Sequence, residues 1–226
     1  ALLTRMRRLL VLRPEPGASA TVKRACEQGL EAVAVPLFEV EPMGWQAPEA
    51  ASFDALLLTS ANAIRHGGDD LAKLRGLRVY AVGEATAQAA RDAGFDIAAT
   101  GDAGVDRLLG SIEPDARLLH LCGDDRREPE DARQEITLIP VYKAVAVENP
   151  DLSVARGSVA LVHSPRAGRR FAQLMPERGS VAVAAISEAA AEAAGTGWQA
   201  IEATKEPNDD ALLALAARLC NNSPPK

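Results

Sequence analysis

The sequence predicts an α/β protein built from two similar parallel-sheet domains, and three observations carry that prediction. The chain repeats itself at an offset of about a hundred residues, short β-branched runs alternate with alanine-rich helical stretches, and the runs are apolar throughout. A repeat that long exceeds any solenoid unit, so each copy is expected to be a domain-sized fold. Two such domains imply a cleft between them, where ligands commonly sit.

The repeat shows in landmarks more than in letters. "ALLLTSANAIRH" returns as "ALVHSPRAGRRF", and one offset relates Ser60 to Ser164, Gly83 to Ser187, Thr100 to Thr204, Leu109 to Leu213 and Pro36 to Pro140. Phe38 and Tyr142 are matched in the same way.

Taken in order, strands are expected at 9–12, 32–35, 55–59, 78–82, 118–121, 136–139, 159–163 and 181–186. Continuous apolar character is what parallel strands covered on both faces require. Helices are expected between them, including 84–93, 165–174, 188–194 and 209–219, with right-handed crossovers. The tail "NNSPPK" reads as frayed. The segments 35–40 and 139–147 are extended, marked by proline and matched between copies. They fit either internal strands of two consecutive domains or crossings between interleaved ones, and the residues alone do not choose.

Composition narrows the function. The chain has 226 residues, 47% of them hydrophobic, with a net charge of -6. No apolar run approaches the ~18 residues of a membrane span, and the start lacks a signal-peptide cleavage site, so a soluble, cytoplasmic protein is expected. The acidic balance without a basic tract argues against a nucleic-acid partner. Cys26, Cys122 and Cys220 are scattered, and His66, His120 and His163 lack ligand spacing, so neither disulfides nor a metal site is suggested. GxGxxG, GxxxxGK[ST] and GxSxG are all missing.

The chemistry is expected just after the strands, where open α/β sheets bind ligands and helix N-termini offer free N–H groups. The strands end in Ser60-Ala61-Asn62, Gly83-Glu84-Ala85-Thr86, Ser164-Pro165-Arg166 and Ser187. Four such corners suit a ligand carrying several carboxylates or phosphates. Serine and threonine at these places also serve as ordinary N-caps, and duplication copies caps as readily as sites. Arg13, Arg126, Arg127 and Arg166 follow strands and are placed to meet anions; Arg169 and Arg170 lie further along a helix. His163 is the histidine nearest a corner, with a packing role at the strand end expected.

Eight segments in order, "LRPEPGAS", "FDALLLTSANAIR", "GLRVYAVGEATAQAARDAGF", "LLHLCGDDRR", "IPVYKA", "SPRAGRRFAQL", "AAISEAAAEAA" and "IEATKEPNDDALLALA", resemble the uroporphyrinogen-III synthase family of tetrapyrrole and heme biosynthesis. The resemblance implies two α/β domains joined by a two-stranded linker in an interleaved layout. One domain would comprise 1–37 and 147–226 and the other 41–140, with linker strands at 36–40 and 140–147. It implies a hydro-lyase needing no cofactor or metal and acting as a monomer on hydroxymethylbilane, a linear tetrapyrrole with eight carboxylates. The family reaction removes the terminal hydroxyl, closes the ring and inverts the last pyrrole through a spiro intermediate.

Carried onto this sequence, the resemblance makes Tyr142 the candidate acid near the departing hydroxyl, and Ser60, Asn62, Gly83, Thr86, Ser164 and Ser187 candidate substrate contacts, with Arg13 and Arg166 beside them. Gly83 suits the role because a missing side chain lets a carboxylate approach backbone N–H groups. The second copy departs from this pattern, with Ser187 matching Gly83 and Ala190 matching Thr86. Fold alone does not fix function, and a non-catalytic two-domain protein binding a small anion or sugar is the alternative.

Overall fold

A computed structural model describes residues 7–102, 104–125 and 132–221; Arg126, Arg127 and the end of the tail lie outside the described residues. The first half runs β1 (Leu9–Val11), α1 (Gly17–Glu27), β2 (Ala32–Ala34), β3 (Phe38–Pro42), β4 (Ala55–Leu58), α2 (Asn62–His66), β5 (Arg78–Val82), α3 (Glu84–Asp92), β6 (Ile97–Gly101) and α4 (Val105–Leu109). The second runs β7 (Arg117–Gly123), β8 (Glu135–Ala146), β9 (Val159–Val162), α5 (Pro165–Leu174), β10 (Ala182–Ala185), α6 (Glu188–Ala194), β11 (Ala200–Ala203) and α7 (Asp209–Asn221).

The chain divides into two compact units, Ala1–Glu39 with Ala146–Lys226, and Val40–Val145. The first unit holds a sheet in the order β11-β10-β9-β1-β2, and the second a sheet in the order β3-β8-β7-β4-β5-β6. Every pairing in the first sheet is parallel, as are β8 with β7, β7 with β4, β4 with β5 and β5 with β6. The repeat is visible in the order itself. Omitting β3, the run β8-β7-β4-β5-β6 matches β2-β1-β9-β10-β11 strand for strand. Mixed α/β architecture with parallel sheets is therefore present as the sequence predicts.

Burial explains why these runs make strands. All residues of β1, β9 and β10 are buried, because helices cover both faces of a parallel sheet. In the first unit, Leu212, Leu213, Ala216 and Leu219 of α7 pack on Leu9, Val159, Leu161 and Ala184. On the same unit Phe171 of α5 stacks on Trp198 at 4.9 Å between ring centroids. In the second unit Leu56 and Leu58 belong to one cluster with Val79 and Leu119, while Ala55 and Leu57 join Leu108 and Leu109 of α4 on the other face. Two-residue alternation of side chains sends neighbours to opposite faces, and each buried leucine contributes about 1.5–3 kcal/mol.

The structure differs from the expected elements in two respects. The segments 136–139 and 139–147 form one continuous strand, β8: Pro140 stands opposite Cys122 without interrupting it, and the register against β7 skips the next residue, Val141. Strands β6 and β11 were not expected; they sit at sheet edges, are only half buried, and so lack a continuous apolar run. Helix α1 falls between two expected strands, where a helix is anticipated without bounds, and it buries only Ala18, Thr21 and Ala25. The chain passes between the units twice, once in β3 and once in β8, and these strands are neighbours in the sheet. Among the described residues, no helix is long and apolar enough to cross a membrane.

Candidate functional site

Topology marks one corner in each unit. In the second unit the chain moves from β4 outward to β5 and β6, then crosses back to add β7 on the other side. The loops after β4 and β7 therefore lead away in opposite directions, which opens the crevice at which α/β sheets bind ligands. Ser60 follows β4 and Gly123 ends β7. In the first unit the equivalent reversal lies between β1 and β9, followed by Arg13 and by His163 and Ser164.

Tyr142 sits at the corner of the second unit. Register along β7 and β8 skips there, with Cys122 opposite Pro140 and Gly123 opposite Tyr142. The extra residue is Val141, next to Pro140, and such irregularities re-aim the side chains that follow them. The ring then lies on Gly123, and the Asp124 N–H donates to the Tyr142 carbonyl at 3.0 Å. Burial pushes the phenol above its ordinary pKa of 10.0; hydrogen bonding from Ser60 and the Gly123 backbone opposes this, and the charges of Cys122 and Asp124 add to it. The phenol is neutral at neutral pH and can donate a proton. His66 lies beside it with ring centroids 6.3 Å apart, and burial followed by the Arg65 charge lowers the imidazole pKa, which favours its uncharged form. A Thr59 Oγ1 to His120 Nε2 contact of 3.1 Å ties the ends of β4 and β7.

The remaining candidates of this unit are divided by their surroundings. Ser60 Oγ accepts from the Asn62 N–H at 3.2 Å, which shapes the turn into α2. The Asn62 side chain accepts from Arg65 at 3.4 Å. Gly83 opens α3 with φ at 82°, a left-handed conformation that favours glycine, and nothing lies within 4 Å of where a Cβ would stand. Thr86 is buried at 5% exposure in the first turn of α3, and its N–H donates to the Gly83 carbonyl. Of the two, Gly83 is the open position.

In the first unit, Ser164 and Ser187 cap their helices. Ser164 Oγ accepts from the Ala167 N–H at 3.1 Å and Ser187 Oγ from the Ala190 N–H at 3.2 Å. Each hydroxyl keeps its own proton for another acceptor. Arg166 places its guanidinium 4.4 Å from the centroid of Phe38. Arg13 is held by Asp209, with Nη1 3.2 Å from both carboxylate oxygens. His163 Nε2 is 3.0 Å from the same carboxylate, so this histidine is a hydrogen-bond partner of Asp209 rather than simple strand-end packing. Arg170, further along α5, donates to the Val147 carbonyl at 3.0 Å.

The residue types at the corners could be named from sequence, but two groupings could not. Gly123 reaches Tyr142 only through the irregular β7–β8 register, for which Pro140 was the available signal. Asp209 meets Arg13 across most of the chain and His163 from 46 residues away, and no local pattern announces it. Among the described residues no group of three His, Cys, Asp or Glu side chains is arranged to hold a metal. Hollows of about 430 and 370 Å³, lined by Arg7, Arg8 and Glu31 and by Asp54, Arg78 and Glu113, open at the amino ends of the strands, away from these corners.

Comparison with known proteins bears on the same residues. The family model for uroporphyrinogen-III synthase HemD matches residues 19–214. A protein of Chlorobaculum parvum named uroporphyrinogen-III synthase is 33% identical over 92 residues, and the match spans 37% of this chain and 37% of that protein. The fold is similar to uroporphyrinogen-III synthetase from Helicobacter pylori, with a TM-score of 0.65 and 18% identity over 95% of this chain and 100% of that one. It is also similar to a mutant uroporphyrinogen III synthase from Thermus thermophilus, at 0.51 and 17% over 96% and 100%. At these identities the two structures support the architecture alone.

Proposed function

The chain belongs to the uroporphyrinogen-III synthase family, and from that premise we propose that it converts hydroxymethylbilane to uroporphyrinogen III, as a hydro-lyase of heme biosynthesis. The observation that carries this reading is the family match, which spans the motifs around Ser60, Gly83, Tyr142, Ser164 and Ser187. The curated relative is aligned over little more than a third of its length, so activity and substrate are the proposal. The layout is two domains, 1–37 with 147–226 and 41–140, joined by the strands 36–40 and 140–147. The enzyme acts as a cytoplasmic monomer.

In this reading Tyr142 donates its proton to the hydroxyl leaving the terminal pyrrole. The C–O bond breaks, water departs and the electron-rich ring carries the positive charge until a new C–C bond forms at the last pyrrole; that ring is inverted through the spiro intermediate as the macrocycle closes, and the proton shed when the pyrrole regains aromaticity returns to the Tyr142 oxygen. A neutral phenol is suited to that role, and its position at the β4/β7 corner supports it. General acid assistance of this kind is worth ~100-fold or more. Carboxylates of the bilane are received by Ser60, Asn62 and the open backbone at Gly83 in one unit, with Thr86 in the adjoining turn, and by Ser164, Arg166 and Ser187 in the other. Holding a flexible chain in a near-attack shape accounts for the choice of closure geometry and can contribute several kcal/mol, about 7 in favourable cases.

The test is mass spectrometry of hydroxymethylbilane with the protein against a protein-free control. Loss of water faster than in the control supports catalysis. Unchanged bilane decay with the ligand retained would leave a binding protein as the better account.

A further inference from the structure

The β1/β9 corner of the first unit is filled from within. Asp209, the first residue of α7, is 14% exposed and receives Arg13 at 3.2 Å, Thr21 Oγ1 at 3.0 Å, His163 Nε2 at 3.0 Å and the Arg24 guanidinium. His163 is 8% exposed, and its Nδ1 is buried with no partner, so the ring is committed to this carboxylate. Gly17 makes the convergence feasible, because a Cβ there would stand 2.6 Å from Arg13 Nε.

This is the donor set that a bound carboxylate would need: two guanidinium groups, a hydroxyl and an imidazole at a topological switch point. Burial would raise the Asp209 pKa, but the His163 hydrogen bond and charge, with Arg13 and Thr21, outweigh it and hold the group well below the usual range. The side chain is therefore an anion under all working conditions. The corresponding position in the other copy is Val105, so the second unit carries no such carboxylate there.

We propose that Asp209 is the resident anion of this corner: the chain's own carboxylate occupies a latent binding site for a carboxylate or phosphate and keeps Arg13, Arg24 and His163 from external anions. The two units therefore divide their work unequally. The first offers anions its helix caps at Ser164 and Ser187 but not the Arg13, Arg24 and His163 cluster. The inference refines the substrate contacts proposed above, while its test uses no substrate and is read independently of turnover.

Thermal unfolding of the wild type and of Asp209→Asn is followed with inorganic phosphate as the probe, at ionic strength fixed with sodium chloride. Removing the carboxylate leaves the half-buried Arg13 and Arg24 and the buried His163 without their shared acceptor, so the variant's midpoint falls by on the order of 5 °C. Millimolar phosphate restores at least half of that fall, adding Arg13→Gln abolishes the recovery, and the wild type does not respond. An Asp209→Asn protein that folds yet responds to phosphate no more than the wild type would overturn the proposal. If that variant does not fold, the wild type decides: a saturable phosphate-dependent rise that Arg13→Gln removes shows the corner open and contradicts it, and no rise sustains it.

Discussion

The aromatic ring of Tyr142 rests on the bare backbone of Gly123: a Cβ added there would stand 2.8 Å from Cε2 and 3.0 Å from Cζ. Gly123→Ala is therefore expected to push the phenol off its position rather than to unfold the sheet. Overpacking of this kind costs about 1–3 kcal/mol, and a displacement near 1 Å at a reacting group can cost about 100-fold in rate. Steady-state kinetics beside thermal unfolding should show kcat falling at least about tenfold with a modest change in midpoint. A variant with wild-type kcat would remove Tyr142 placement from the account.

Tyr142→Phe should lower turnover by about 100-fold with the fold intact. The direction of the wild-type pKa adds a second check. Because the folded phenol titrates above the ordinary value of 10.0, the neutral form is favoured in the fold. That contribution to stability is present below about pH 10 and is lost as pH rises beyond it. The rate of the wild type should show no decline from loss of the Tyr142 proton below that pH, and denaturation of the two proteins should converge above it.

Acid should weaken the second unit through Asp54. Hydrogen bonds from the Arg117 side chain and backbone lower its pKa from 3.8 to about 2. A depressed carboxylate contributes stability above its unfolded pKa, and the contribution disappears as pH falls from about 4 toward about 2. The pair is exposed, so the effect is small. Asp54→Asn should flatten this part of the midpoint-versus-pH curve, and a curve unchanged in shape would contradict the assignment.

The serine caps have two separable duties. Loss of a cap costs about 1 kcal/mol, so Ser164→Ala and Ser187→Ala should each lower the midpoint by about 2–4 °C. If their free protons also receive substrate carboxylates, KM rises severalfold in each, and threonine restores both properties. A stability loss with unaltered KM would reduce both residues to caps.

Much of the fold was legible because it depends on local pattern. The apolar runs at β1, β4, β5, β9 and β10 announce buried parallel strands, and the serines ahead of α5 and α6 announce their own helices. The repeat extended that reading, and the family resemblance carried by the eight motifs is borne out by the match over residues 19–214. What escaped is set by neighbours distant in sequence. The half-buried edge strands β6 and β11 take their form from β5 and β10. The Tyr142 position opposite Gly123 depends on the register skip at Val141 against β7, and Asp209 depends on α1, β1 and β9 meeting in space.

The most direct measurement is to generate hydroxymethylbilane in the presence of the purified protein, oxidise the products and separate the type I and type III isomers by chromatography. Spontaneous closure gives the uninverted isomer I, so the ratio reads out the geometry that the protein imposes. The account predicts predominantly isomer III. Isomer I alone, formed at the rate of the protein-free control, would contradict it.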